Sequence, residues 1–408
     1  MFRGTHYDDK TNYSPSSVNK QVNTRRTLVR GCSGGKVPTY TVVVKVVVVG
    51  AGILGTWMAI HLVEQGHSVL HLERDNQPQS ASIRNLGLIW ISGREAGVEL
   101  DTALSARERW SRQHALWPEL PLRTAGSLTL APTEADVAVL EAAAALPDAT
   151  TRGFTLLSHK DLLYRYGIDA PTSLGLFCSL DAITEPRSVL TILRKRLSLD
   201  PNYRYRANAE VVYCHDEELE LIDHTRIPFD YVFFATGVSD LRSLGFASTE
   251  RLTRTQLQML QTAGHARTLP PAIADTDSFR YYPAFASLRP MLSPQEPIAS
   301  RYGAQLLLAQ RSDGSLTIGD THEEYGSPFL DSVIETHLVE RARTVLGQEI
   351  ASTTQRWQGV YSRLVPGDED VYYSEQLRSN ATWVTGLGGR GMTISPQAAY
   401  EAVKETFR

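Results

Sequence analysis

Cysteine is scarce in this chain. The three in 408 residues, Cys32, Cys178 and Cys214, are too few for a disulfide framework and too scattered for a metal site, so the expectation is a reducing, cytoplasmic setting. An excess of one charge is also missing: a net charge of −4 gives no basic footprint for nucleic acid. Long apolar runs are absent too. The one candidate, residues 42–49, is broken by Lys45 and falls far short of the roughly 20 residues of a spanning helix, so no membrane partner is expected. Residues 1–40 lack any apolar period and are rich in Ser, Thr and Asn, with seven Lys and Arg against Asp8 and Asp9; they are expected to be a disordered tail. Arg25-Arg26 has no apolar segment after it to make an export signal. An organellar transit peptide or extra upstream residues fit this tail equally well.

What is present bounds the answer more tightly. With 42% hydrophobic and 21% charged residues, the chain can bury a large core and is expected to form two domains. The apolar run leads directly into Gly50-Ala-Gly52-Ile-Leu-Gly55. A helical stretch follows, then Gly66-His-Ser-Val-Leu-His-Leu-Glu73. Strand, glycine turn, helix, strand and acid in this order point to a dinucleotide site. Gly50 permits the turn, Gly52 lets the backbone approach a pyrophosphate, and Gly55 lets helix and strand pack closely. The helix N-terminus then faces the phosphates. Glu73 stands where a carboxylate accepts the ribose hydroxyls and repels a 2′-phosphate, an effect that Arg74 softens.

Helices are expected over 103–117, 134–145, 188–197 and 397–407, and a strand over 126–131. Residues 181–186 should be extended, because the residue before a proline disfavours the helical region. Proline-rich loops fall near 269–271 and 293–297. Two further segments bear on the cofactor. The apolar strand ending in Ala235-Thr-Gly237 can close over a dinucleotide. Residues 381–393 deliver Gly386, Gly388, Gly389 and Gly391 to a helix start, where backbone N–H groups meet negative charge developing on a reduced flavin. A nicotinamide-dependent dehydrogenase, or a non-catalytic dinucleotide sensor, needs only the first motif.

Taken with Ser80-Ala-Ser-Ile-Arg-Asn-Leu-Gly87 and Arg356-Trp-Gln-Gly359, these motifs from about residue 42 to the C-terminus resemble the D-amino-acid oxidase-like family of FAD-dependent oxidoreductases, which includes glycine and sarcosine oxidases. Segments 82–90, 126–130, 256–260 and 314–322 look like the branch found with bacterial phosphonate-degradation genes. The resemblance implies an α/β fold: a Rossmann-like FAD domain (residues 41–95, 181–245 and 355–408) and an α+β substrate domain on a mostly antiparallel sheet (96–180 and 246–354). It places FAD on Gly50, Gly52, Ile53, Leu54, Gly55, Glu73 and Arg74, on Ser82, Arg84, Asn85 and Leu86, on Val212 through its backbone, on Ala235, Thr236 and Gly237, and on Gly388, Gly389, Arg390, Gly391, Met392 and Thr393. Sarcosine oxidases attach their flavin through a C-terminal cysteine. This chain has none beyond Cys214, so non-covalent FAD is expected.

The implied reaction is hydride transfer from a small zwitterionic amine, with dioxygen or another acceptor reoxidising the flavin and no obligatory protein base. The leading substrate is 2-aminoethylphosphonate or its N-methyl derivative; glycine, sarcosine or a D-amino acid is the alternative. Arginine matches carboxylate and phosphonate geometry through its planar fork, so the substrate candidates are Arg84, Arg94, Arg280, Arg301 and Arg390, together with Tyr281, Tyr282, Tyr302 and His322. Each also has a plain structural reading: surface charge for Arg280 and Arg301, a cap on the flavin edge for Arg390, core packing for the tyrosines, a loop role for His322.

Overall fold

A computed structural model describes residues 43–169, 174–324, 326 and 330–408; the expected tail and Cys32 lie outside them. The apolar run becomes β1 (Lys45–Val49), whose last four residues are all buried. A strand buried on both faces reads as a continuous apolar run, as parallel sheets require. β1 pairs in parallel with Tyr231–Phe234 on one side and with β2 (Ser68–Leu72) on the other, and β2 with Tyr203–Arg206. Ala381–Thr385 extends the parallel set, and Tyr373–Arg378 closes that edge in antiparallel fashion.

Helices cover one face of this six-stranded sheet. α1 (Ile53–Glu64), α2 (Val98–Leu116), Pro186–Leu197 and the C-terminal helix Gly391–Thr406 share one core around Val46, Val48, Trp57, Trp110, Leu193 and Ala399. On the other face Val47, Val49 and Phe234 pack against Cys214, Leu219 and Ile227 of a small antiparallel sheet. The C-terminal helix starts at Gly391, earlier than the expected 397, and contains Pro396. Pro396 cannot donate to the carbonyl of Met392 four residues before it. The indole of Trp110 donates there instead, at 2.9 Å.

The second layer is a nine-stranded sheet centred on the long strand Leu252–Gly264. All its pairings are antiparallel except that between Ala272–Asp275 and Ser127–Leu130. Side chains alternate between its faces, as the two-residue period of a strand demands: Leu257 and Met259 enter one core, Leu260 the other. Ser127–Leu130 is buried on both faces, because helices cover this sheet on each side.

Two of the expected domain boundaries differ from the strand pairing. Thr353–Leu364 pairs along Leu252–Gly264 from Leu252↔Leu364 to Thr262↔Thr353, so residues 355–364 extend the second sheet. α2 packs on the nucleotide-domain helices, with the rings of Trp57 and Trp110 edge-on at 5.1 Å; it begins at Val98, five residues before the expected start. Pro186–Leu197 likewise starts early, since proline is tolerated in the first helical turn. Among the described residues no helix is long and apolar enough to cross a membrane.

Candidate active site

The glycine turn between β1 and α1 is held from three sides. Its sharp bend puts Gly50 at φ +104°, and a Cβ there would lie 2.4 Å from the carbonyl oxygen of Ala235. His71 Nε2 donates to the Gly50 carbonyl at 3.1 Å while Nδ1 accepts from the Tyr203 hydroxyl at 3.0 Å. Burial lowers the His71 pKa to about 4, which keeps the ring neutral and so able to accept at Nδ1. Glu73 accepts the N–H groups of Ala51 at 3.0 Å and Asp75 at 3.2 Å. Ser82 Oγ accepts the Ile53 N–H at 3.0 Å, and a Cβ on Gly52 would meet that oxygen at 2.9 Å. Gly55 lies against the Gly50 carbonyl at the helix–strand contact.

A cleft of about 470 Å³ starts at this turn. Glu73, Arg74, Ala209 and Val211 line one end, Ala235, Thr236 and Gly237 the middle, and Thr385, Gly388 and Gly391 the other end. Val211 lines this end, next to Val212, the residue expected to contact the cofactor through its backbone. The groups fit a flavin dinucleotide. A carboxylate stands at the end of β2, side-chain-free backbone flanks the turn, and the helix Gly391–Thr406 aims its N-terminus at the far end. Thr393 is buried behind that end, its hydroxyl accepting the Trp90 N–H at 2.9 Å, so it braces the site and lies outside the cleft lining.

A smaller cavity of about 100 Å³ adjoins the cleft and shares Ile53, Ser82, Tyr361, Gly388 and Gly391 with it. Trp90, Tyr281, Tyr282, Leu257 and Leu307 form its walls; Arg84, Asn85, Leu86, Gly389 and Met392 also line it. The Tyr281 and Tyr361 hydroxyls are 3.2 Å apart, and Gly389 leaves the space that brings Tyr281 to the turn. His322 stacks on Tyr281 with ring centroids 4.0 Å apart.

The expected arginines separate here. Arg94 lines the small cavity at 3% exposure, with Nε buried and unpartnered among the described residues. Arg84 sits exposed at the rim and donates to the Gln358 carbonyl at 3.0 Å. Arg280 is turned away, tied to Asp277 and the Ser293 carbonyl. Arg301 is exposed, over the ring of Tyr302, whose hydroxyl donates to Asp331 at 2.6 Å. Arg390 lines neither cavity and spends its guanidinium on Glu99 and the carbonyls of Leu387 and Val371. The helix and loop geometry around 277–302 points Arg280, Arg301 and Tyr302 away, and Glu99 with two backbone carbonyls holds Arg390, so none of the four lines the small cavity.

Several residues that were not among the expected site residues build this site. The loop 91–94 is clamped between two buried charges. Asp181 accepts the N–H groups of Ile91 and Ser92 and the Ser92 hydroxyl, and Arg152 donates to the carbonyls of Ser92 and Arg94. Asp320 is buried beside His322. Burial raises its pKa, while His322 and the amide of Gln305, which donates to Asp320 Oδ1 at 3.2 Å, act the other way. Burial also raises the Tyr282 phenol well above its usual value; after burial, Arg94 lowers it and Asp320 raises it, so Tyr282 lies within the fields of opposite charges. The partners that clamp the loop are 58 to 90 residues apart in sequence, beyond the reach of any local pattern.

Cys178 and Cys214 are buried, and neither lines a cavity. Acid precipitation of the holoenzyme is therefore expected to leave intact FAD in the supernatant; flavin retained in the pellet would contradict this.

Residues 45–404 match the family model described as DAO, FAD dependent oxidoreductase. Among solved structures, glycine oxidase from Geobacillus kaustophilus superposes with a TM-score of 0.71 at 15% identity, covering 89% of this chain and 95% of that one. Glycine oxidase from Bacillus cereus gives 0.72 at 14%, covering 89% and 94%. L-amino acid deaminase from Proteus vulgaris gives 0.67 at 17%, covering 93% and 92%. No curated protein matches the chain significantly.

Proposed function

We propose that this chain, which belongs to the DAO family of FAD-dependent oxidoreductases, oxidises a small amine bearing a single carboxylate, of the glycine, sarcosine or D-amino-acid class. The observation that carries this reading is the pair of buried, oppositely charged residues, Arg94 and Asp320, lining one small cavity. The glycine oxidases and the amino acid deaminase of like fold support it. Arg280 and Arg301, which a phosphonate dianion was expected to need, face elsewhere.

When bound, the flavin supplies the hydride acceptor. The rest falls to the protein. Arg94 anchors the carboxylate through charge-assisted hydrogen bonds. Asp320, on the same cavity, would receive the ammonium group. Its burial-raised pKa suits it to take the proton that the amine must lose before its Cα–H can leave as hydride. Trp90, Tyr281, Tyr282 and Leu307 exclude water, which strengthens both charges. The backbone at 388–391 and the dipole of the C-terminal helix face the developing negative charge.

The test is anaerobic flavin bleaching with glycine, sarcosine, D- and L-alanine and 2-aminoethylphosphonate. A carboxylate amine should be preferred over the phosphonate by about tenfold or more, the scale set by one mismatched polar group. Faster bleaching with the phosphonate would overturn the reading.

A further inference from the structure

We propose that Glu99 is a positioning residue that couples the substrate anchor Arg94 to the glycine turn 388–391 that would hold the flavin; the substrate half of this rests on the carboxylate reading above. A single oxygen, Glu99 Oε1, accepts from Arg94 Nη1 at 3.1 Å and from Arg390 Nη1 at 3.0 Å. The other oxygen accepts the Glu95 N–H at 2.8 Å. Glu99 is 6% exposed and Arg94 3%, so water screens the trio little.

The three side chains come from three places: the clamped loop, the first turn of α2 and the glycine turn that opens the C-terminal helix. Arg390 Nε and Nη2 hold the carbonyls of Leu387 and Val371, at 3.1 and 2.9 Å. They thereby fix the backbone from which Gly388, Gly389 and Gly391 line the cavities. Two cations around one anion leave one positive charge uncompensated. That charge falls to Arg94, which lines the small cavity. A carboxylate docking there completes an alternating chain, cation–anion–cation–anion, and draws Arg94 against Glu99, whose hold on Arg390 sets the turn. Glu99 therefore joins Arg94 to Arg390. Because coupling of binding free energies is reciprocal, a change at either end must be felt at the other.

Two crossed measurements test this on the FAD-bound enzyme and its apoprotein. Arg390→Met, which lies away from the substrate cavity, should raise KM for the best carboxylate amine roughly 5- to 30-fold with kcat changed less, the range for one connected charge network. Arg94→Met should raise the FAD dissociation constant, read by flavin fluorescence, about 3- to 10-fold. Both crossed effects should vanish once Glu99→Gln is already in place. Arg390→Lys and melting curves, with rates normalised to bound flavin, separate coupling from misfolding. Crossed effects that are absent, or that persist in the Glu99→Gln background, overturn the proposal. If Arg94→Met shifts FAD affinity through Glu99 yet leaves KM unchanged, the coupling stands and the carboxylate anchor falls.

Discussion

Arg94→Met should cost a carboxylate-bearing amine on the order of 2 to 5 kcal/mol in kcat/KM, roughly 30-fold to several thousandfold, the range for losing one side of a buried charge-assisted pair. An uncharged amine of similar size should hold its rate within about threefold. The fold should survive, because Glu99 keeps Arg390 and the Glu95 N–H as partners. Arg84→Met is the control. Its side chain lines the same cavity from the solvent side, where an ion pair is worth only about 0 to 1 kcal/mol. Arg94→Lys should restore little, since an ammonium cannot present two parallel N–H donors while also reaching Glu99. Initial rates of anaerobic flavin reduction read all four enzymes. Should Arg84→Met do the damage and Arg94→Met none, the anchor would lie at the rim and the cavity would be turned the other way.

The cofactor half of the molecule was legible because its chemistry is written locally. A phosphate turn needs glycines at fixed spacing after a strand, and the ribose acid must end the next strand. Residues 50–55 and Glu73 satisfy both with no help from tertiary structure, and at Gly50 and Gly55 close backbone approach leaves no room for a side chain. Substrate recognition is written across the chain. Arg94 stood out as one arginine among several; what distinguishes it from Arg280 and Arg301 is a loop held by Asp181 and Arg152 from elsewhere in the chain. Sequence offers no sign of such a clamp, because a buried aspartate accepting backbone N–H groups looks like any other aspartate until the loop is in place. Asp320 was missed for the same reason. Its neighbour His322 drew attention as a titratable ring, while the buried carboxylate sat two residues away. The helix starts erred in one direction, toward lateness, because Val98 at 73% exposure and Pro186 carry no apolar period, yet each is a tolerated first-turn residue.

Gly50→Ala should abolish FAD binding in any practical titration, while Gly66→Ala should leave it intact. The comparison isolates one cause. Both glycines have positive φ, +104° and +82°, so each alanine carries a backbone penalty of about 1 to 3 kcal/mol. At Gly66 a Cβ would meet nothing within 4 Å. Its cost stops at the backbone and should appear as a few degrees in melting temperature. At Gly50 the Cβ would press on the carbonyl of Ala235, 2.4 Å away, and that residue is itself fixed by its N–H bond to Val49 at 2.8 Å. Neither partner is a flexible side chain that can swing aside. Either β1 parts from Tyr231–Phe234 at the end where the cleft opens, or the turn moves away from the phosphates. Both outcomes remove N–H groups aimed at a doubly charged pyrophosphate, where each charge-assisted bond contributes about 1.5 to 3 kcal/mol. Losing two of them weakens FAD by roughly 150-fold or more. Reconstitution of the apoprotein followed by flavin fluorescence reads affinity, and melting of the apoprotein reads the fold. If Gly66→Ala loses FAD as completely as Gly50→Ala, strained backbone alone governs the site and the close approach of Gly50 to Ala235 has no part in it. If Gly50→Ala binds FAD normally, the pyrophosphate does not lie on this turn.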